Sequence, residues 1–226
     1  LSMSGAKPLE RNQNPQLYAM VEELSGRMNL PMPKLYMTPD RQANAFATGR
    51  DPKHASVAVT QGILDALSKE ELKGVLAHEL GHVRNRDILI ATIAAVLATT
   101  ISFMGNMVLF RPGGDDDDNN AGGGAIALLA AILVPLGASL IQLAVSRQRE
   151  FGADETGAQI MGNGKSLADA LLVISDSTTK APIKTNPALS SLYIENPFGS
   201  RGSNLMNLFS THPPVEERVR RLRAMR

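Results

Sequence analysis

The chain has 226 residues, with 23 Lys and Arg against 22 Asp and Glu, four His and no Cys. A formal charge of +1, without a basic stripe carrying interleaved aromatics, gives no case for nucleic-acid binding. The absence of Cys excludes a disulfide scaffold, thiol catalysis, Fe–S clusters and Cys-type zinc sites. The charge is unevenly spread, because Ile88–Phe110 (23 residues) and Ala125–Ser146 (22 residues) contain no Asp, Glu, Lys, Arg or His. The remainder has the charge density of an ordinary soluble domain. We read residues 1–226 as a single domain with two apolar segments inserted near its middle. Leu1–Asn14 is polar, with no signal sequence, and a start without Met predicts a processed or truncated chain.

Asn14-Pro15 has the form of an N-cap followed by Pro at the first helical position, and Leu17, Met20, Val21, Leu24 and Met28 follow helical spacing. A helix over Pro15–Met28 is predicted, ended by Pro31 and Pro33. Lys34–Thr38, Ala43–Thr48 and Ala55–Thr60 read as short strands separated by turn residues, hence a small antiparallel sheet. Ser68-Lys69-Glu70-Glu71 is a capping box. With no breaker before Gly105, the helix it starts is expected to continue into the first apolar segment. Arg111–Gly124, with five Gly and the run Asp115–Asp118, is a solvated acidic loop. The second apolar segment leads without a strong breaker into Arg147–Met161. Lys165–Ser177 and Pro213–Arg226 are further helices, and Ala181–Ser210 is mostly loop. The predicted class is α+β, mostly helical.

A helix of 22–23 residues reaches roughly 33 Å, enough to cross a hydrocarbon core of about 30 Å. Arg84 and Arg86 precede the first segment and Arg147 and Arg149 follow the second, whereas the connecting loop has four Asp and only Arg111. The two segments therefore predict a transmembrane hairpin in the lipid bilayer, with both outer ends on the cytoplasmic side. The competing reading is a buried helical hairpin in a soluble core.

His78-Glu79-Leu80-Gly81-His82 is an H-E-x-x-H motif on the predicted capping-box helix. Residues four apart share a helix face, so His78 and His82 can grip one metal ion while Glu79 takes a proton from water. A zinc hydrolase site needs a third protein ligand. Glu150 is the candidate, because two antiparallel helices of near-equal length return the chain to the level it left. Asp154, one turn further on, is placed to orient a ligand His.

H-E-L-G-H followed by Glu150-Phe151-Gly152-Ala153-Asp154 resembles the HtpX family of membrane-bound zinc metallopeptidases, relatives of the CAAX prenyl endopeptidases, and the likeness runs over essentially the whole chain. It implies a zincin-like domain with one Zn2+ per chain, bound by His78, His82 and Glu150, with Glu79 as the base. It also implies a bacterial inner-membrane protease with its active site facing the cytoplasm, whose polypeptide substrates are misfolded or damaged membrane proteins. The family usually carries two more hydrophobic segments upstream, which fits a chain trimmed to start at Leu1. Asn44-Ala45-Phe46-Ala47 resembles the family's substrate-pairing edge strand; an exposed edge can hold an extended peptide by main-chain bonds. The family's His-Pro near the C-terminus corresponds to His212-Pro213, so His212 is a candidate oxyanion stabiliser, with Tyr193 competing for that role. Arg218, on the last helix, is placed to brace the site by pairing with an acidic residue. The alternatives are a prenyl-protein-type processing protease, or a membrane scaffold in which zinc is only structural. Oligomeric state is left open.

Overall fold

In a computed structural model, residues 5–109, 121–180 and 213–225 are described. Strand β1 is the short Lys7–Pro8. Helix α1 (Pro15–Arg27) begins where the Asn14 side chain accepts the Leu17 N–H at 3.0 Å, and its Leu17, Val21 and Leu24 are buried. Asn29 ends it in the left-handed region, with φ 55°. Strands β2 (Lys34–Thr38), β3 (Ala45–Thr48) and β4 (Ser56–Thr60) follow, and a 3-10 turn over Pro52–His54 leads into β4. Thr60 then caps the short α2 (Gln61–Ala66).

The sheet order is β1-β2-β4-β3. It is mixed rather than wholly antiparallel: β1–β2 and β3–β4 are antiparallel, but β2 and β4 run parallel, with Tyr36 opposite Ala58. The reason lies in residues 39–44, which carry the chain past the slot next to β2. The Thr60 hydroxyl fixes that connection, lying 2.6 Å from the Gln42 carbonyl and accepting the Asn44 N–H at 2.9 Å. Strand β4 fills the slot, and β3 is left on the edge.

Helix α3 (Lys69–Arg84) starts at a complete capping box between Ser68 and Glu71. From Leu72 to Val83 nearly every side chain is buried, because α3 packs between the sheet, α1 and α6 (Lys165–Lys180). The expected run-on into the apolar segment does not occur. Asn85 caps α3 through its N–H to the Gly81 carbonyl at 2.9 Å, and Arg86 turns the chain with φ 57°. Helix α4 (Asp87–Leu109) then starts afresh. In a continuous helix, residues five apart point about 140° away from each other. The break is what lets Asp87 reach back to His82. Helix α5 (Ala121–Met161) is continuous through Pro135, and α7 (Val215–Ala224) closes the chain against α6.

The chain divides into two compact units, Leu1–Leu89 with Arg147–Arg226, and Ile90–Ser146. The first holds the core, built from α1, α3, α6, α7 and the sheet. In the second, Gly105 lies against Val134, and large apolar side chains such as Ile93, Val96, Leu97, Leu133 and Ile141 are exposed. Among the described residues, Asp87–Gly105 is the one helix long and apolar enough to cross a membrane, with mean hydropathy 2.1 and, Asp87 apart, no buried residue.

Candidate metal centre and active site

Helix α3 presents His78 and His82 on one face, and the C-terminal part of α5 lies against it. That approach depends on two glycines. A Cβ on Gly81 would stand 3.0 Å from the Ala153 carbonyl oxygen, and one on Gly157 would stand 3.1 Å from the His78 backbone nitrogen. At this spacing Glu150 faces both imidazoles. His78 Nε2 and His82 Nε2 are 3.1 Å apart, and they lie 3.7 and 3.6 Å from the two Glu150 carboxylate oxygens.

These atoms fit a metal ion. Three ligand atoms at tetrahedral angles, each about 2.0–2.1 Å from zinc, stand roughly 3.4 Å apart. The other ring nitrogens are spoken for: His78 Nδ1 lies 2.9 Å from Asp154 Oδ1, and His82 Nδ1 lies 2.6 Å from Asp87 Oδ2. With each Nδ1–H donated to a carboxylate, the Nε2 lone pairs converge on one point, where only a shared cation or a proton makes them compatible. The buried carboxylates of Glu79, Asp87, Glu150 and Asp154 outnumber the buried guanidinium of Arg218, which also favours a cation.

Arg218 of α7 grips Asp154 with two bonds, Nε to Oδ2 at 2.9 Å and Nη2 to Oδ1 at 2.7 Å, and stands 3.5 Å from Glu150. Burial works to raise the Asp154 pKa, but the Arg218 charge and the hydrogen bonds from His78 and Arg218 win and hold it at about 2. For His82, burial opposes protonation, yet the Asp87 hydrogen bond and the surrounding carboxylates push it up to about 9. Glu79 is raised, because its burial outweighs the pull of His78 and His82.

The Glu79 carboxylate reaches the edge strand. Ala47 N–H donates to Glu79 Oε2 at 2.8 Å. Asn44 is buried and turned inward, its carbonyl accepting the Thr60 N–H at 3.0 Å, and Phe46 is paired with Ala58. By alternation, the backbone groups of Ala45 and Ala47 point away from β4, toward the edge of the sheet, where Ala45 is buried and the Ala47 N–H is taken by Glu79.

A family model for peptidase family M48 matches residues 11–226. The chain belongs to peptidase family M48. Among M48 relatives, it is 51% identical over 229 residues to a protease HtpX homolog of Pelotomaculum thermopropionicum, covering 100% of this chain and 81% of that protein. It is 50% identical over 229 residues to a protease HtpX homolog of Aquifex aeolicus, covering 98% and 75%. The likeness to HtpX read from the sequence therefore holds. By structure the chain resembles the crystal structure of S. mikatae Ste24p, with TM-score 0.65 and 21% identity over 98% of this chain. It spans 52% of Ste24p, and at that identity the likeness concerns the fold. The M48 chain is a peptidase with a cluster, His78, His82 and Glu150, able to hold a metal ion.

Of the residues singled out in the sequence, His78, Glu79, His82, Glu150, Asp154, Arg218 and Ala47 meet at this one site. His212 and Tyr193 lie outside the described residues. Asp87 was not foreseen. The signal for it was an acidic residue at the very start of an apolar segment, which reads as a helix N-terminal charge unless the helix break is known.

Proposed function

We propose that this M48 peptidase is a zinc-dependent endopeptidase of the bacterial inner membrane, acting from the cytoplasmic side on misfolded or damaged membrane proteins. The observation that carries the hydrolytic part is the position of Glu79, beside the His–His–Glu cluster and 2.8 Å from the edge-strand N–H. It stands between a cation site and a strand able to hold a peptide. We assign His78, His82 and Glu150 as ligands and residues 1–226 as one catalytic domain with a membrane-inserted hairpin.

When bound, zinc supplies Lewis-acid polarisation of the scissile carbonyl and of water. The protein's own groups do the rest. The outward backbone groups of Ala45 and the Ala47 carbonyl are the main-chain partners for an extended substrate, the Ala47 N–H being held by Glu79. Glu79 takes the proton of the attacking water and returns it to the leaving amine, a two-way task suited to a carboxyl whose pKa is raised by burial. Asp154 and Asp87 keep each imidazole in the tautomer that directs Nε2 at the ligand point. Arg218 holds Asp154 and limits the negative charge inside the site. The membrane part rests on the charge-free segments, the exposed apolar surface of Asp87–Gly105 and the arginines flanking the segments.

Glu79→Gln is expected to retain one equivalent of zinc and to lose casein cleavage by about 100-fold or more. Wild-type proteolysis by that variant removes Glu79 from its role. Membranes washed with alkaline carbonate should keep the protein in the pellet; release into the supernatant sinks the membrane assignment. A purely structural zinc is disfavoured by the buried carboxylate of Glu79, which such a site does not need.

A further inference from the structure

Next to the ligand cluster, within the first unit, is a pocket of about 60 Å3 that the proposed chemistry leaves unused. Thr48 at the end of β3, Ala55 after the following turn, His82 and Val83 of α3, and Ile88 and Leu89 of α4 line it. Its position is informative. His82 belongs both to the pocket and to the ligand cluster, and Thr48 directly follows Ala47, whose N–H meets Glu79. A peptide paired with β3 toward Thr48 would pass the mouth of the pocket with its backbone beside the cluster.

The lining states what side chain fits. Ala55, Val83, Ile88 and Leu89 make it apolar, and Ile88 and Leu89 are 39% and 46% exposed, so an entering aliphatic group covers surface that water now wets. A cavity of about 60 Å3 has room for a side-chain group. The rim carries Arg50, Asp51 and Arg86, two cations against one carboxylate. Arg50 is engaged with Asp51 and His54, whereas the Arg86 side chain has no hydrogen-bond or ion-pair partner among the described residues.

We propose that this pocket is the side-chain subsite that sets cleavage preference, taking one aliphatic side chain (Leu, Ile, Val or Met) next to the scissile bond and turning away Lys and Arg. The proposal rests on the peptide-hydrolysing reading above. Because Ile88 and Leu89 open the apolar helix, the substrate class it selects is an apolar stretch of polypeptide entering from the membrane side rather than a basic flank.

The test is cleavage-site profiling by mass spectrometry, using a peptide library and the intact zinc-loaded protein, its Leu89→Trp and Ile88→Trp variants, and Arg86→Glu. Wild type should show one position beside the cut enriched in Leu, Ile, Val and Met, on the order of tenfold over Ala, and depleted in Lys and Arg. Filling the pocket from exposed positions with Leu89→Trp or Ile88→Trp should move that enrichment to Ala, Ser and Gly at the same position. Arg86→Glu should lift the depletion of Lys and Arg at least fivefold. An unchanged profile in both Trp variants overturns the proposal. If wild type cuts nothing, the hydrolytic reading fails, and binding of labelled peptides decides the pocket by itself. Tenfold tighter binding of a Leu than an Ala peptide, lost in Leu89→Trp, supports the subsite; equal binding of the two overturns it.

Discussion

His78 and His82 are each fixed by a carboxylate on the nitrogen that faces away from the ligand point, and the two carboxylates come from different elements. Partners of this kind usually affect metal affinity by 10–100-fold. Asp87→Ala is therefore expected to weaken zinc binding by that factor in a chelator competition, with Asp87→Asn retaining part of it; unchanged affinity in the Ala variant makes Asp87 a helix-start charge only. Asp154 gives a pH prediction. Its folded pKa of about 2 lies below the reference value of 3.8, so its contribution is present above about pH 4 and is lost as pH falls through 2. A difference of that size corresponds to on the order of 2–3 kcal/mol. Thermal melts between pH 5 and 2 should fall more steeply for wild type than for Asp154→Asn; parallel curves refute the linkage. H-E-x-x-H and Glu150-x-x-x-Asp154 were legible in the sequence because both are local helical spacings. Asp87 was not, since its contact needs the left-handed turn at Arg86, a position with neither Gly nor Pro to announce it.

At the scale of elements, the His78–His82–Glu150 cluster depends on how closely α5 approaches α3. Gly157 sets that distance against the His78 backbone. Gly157→Val should force the helices apart, costing about 1–3 kcal/mol of stability and weakening zinc binding in parallel. A variant with wild-type melting and affinity shows that the interface yields elsewhere. The helices α1, α3 and α6 were readable from caps and periodicity, because those signals lie within a few residues of each other. The parallel pairing of β2 with β4 was not. It is decided by where residues 39–44 deliver β3, through a Thr60 hydroxyl some sixteen residues away in sequence.

For the chain as a whole, the proposed ligands come from two stretches separated in sequence by the entire Ile90–Ser146 unit. The sequence already required the two apolar segments to return the chain to its starting level; the resulting Glu150–His contact is long-range and could be read only because the segment lengths match. The Arg149 guanidinium donates to the Asp87 carbonyl at 2.8 Å, tying together the two points at which the chain leaves and re-enters the first unit. Loop closure between points already held close costs little and changes slowly with loop length. Replacing Ile90–Ser146 by a short Gly–Ser linker is therefore expected to give a protein that folds without detergent and binds one zinc equivalent; an insoluble or metal-free product contradicts it. The Asp87–Arg149 link thus acts as a graft junction. Whatever is spliced between its two ends, whether a longer segment, a shorter one or none, the first unit meets the same closed boundary.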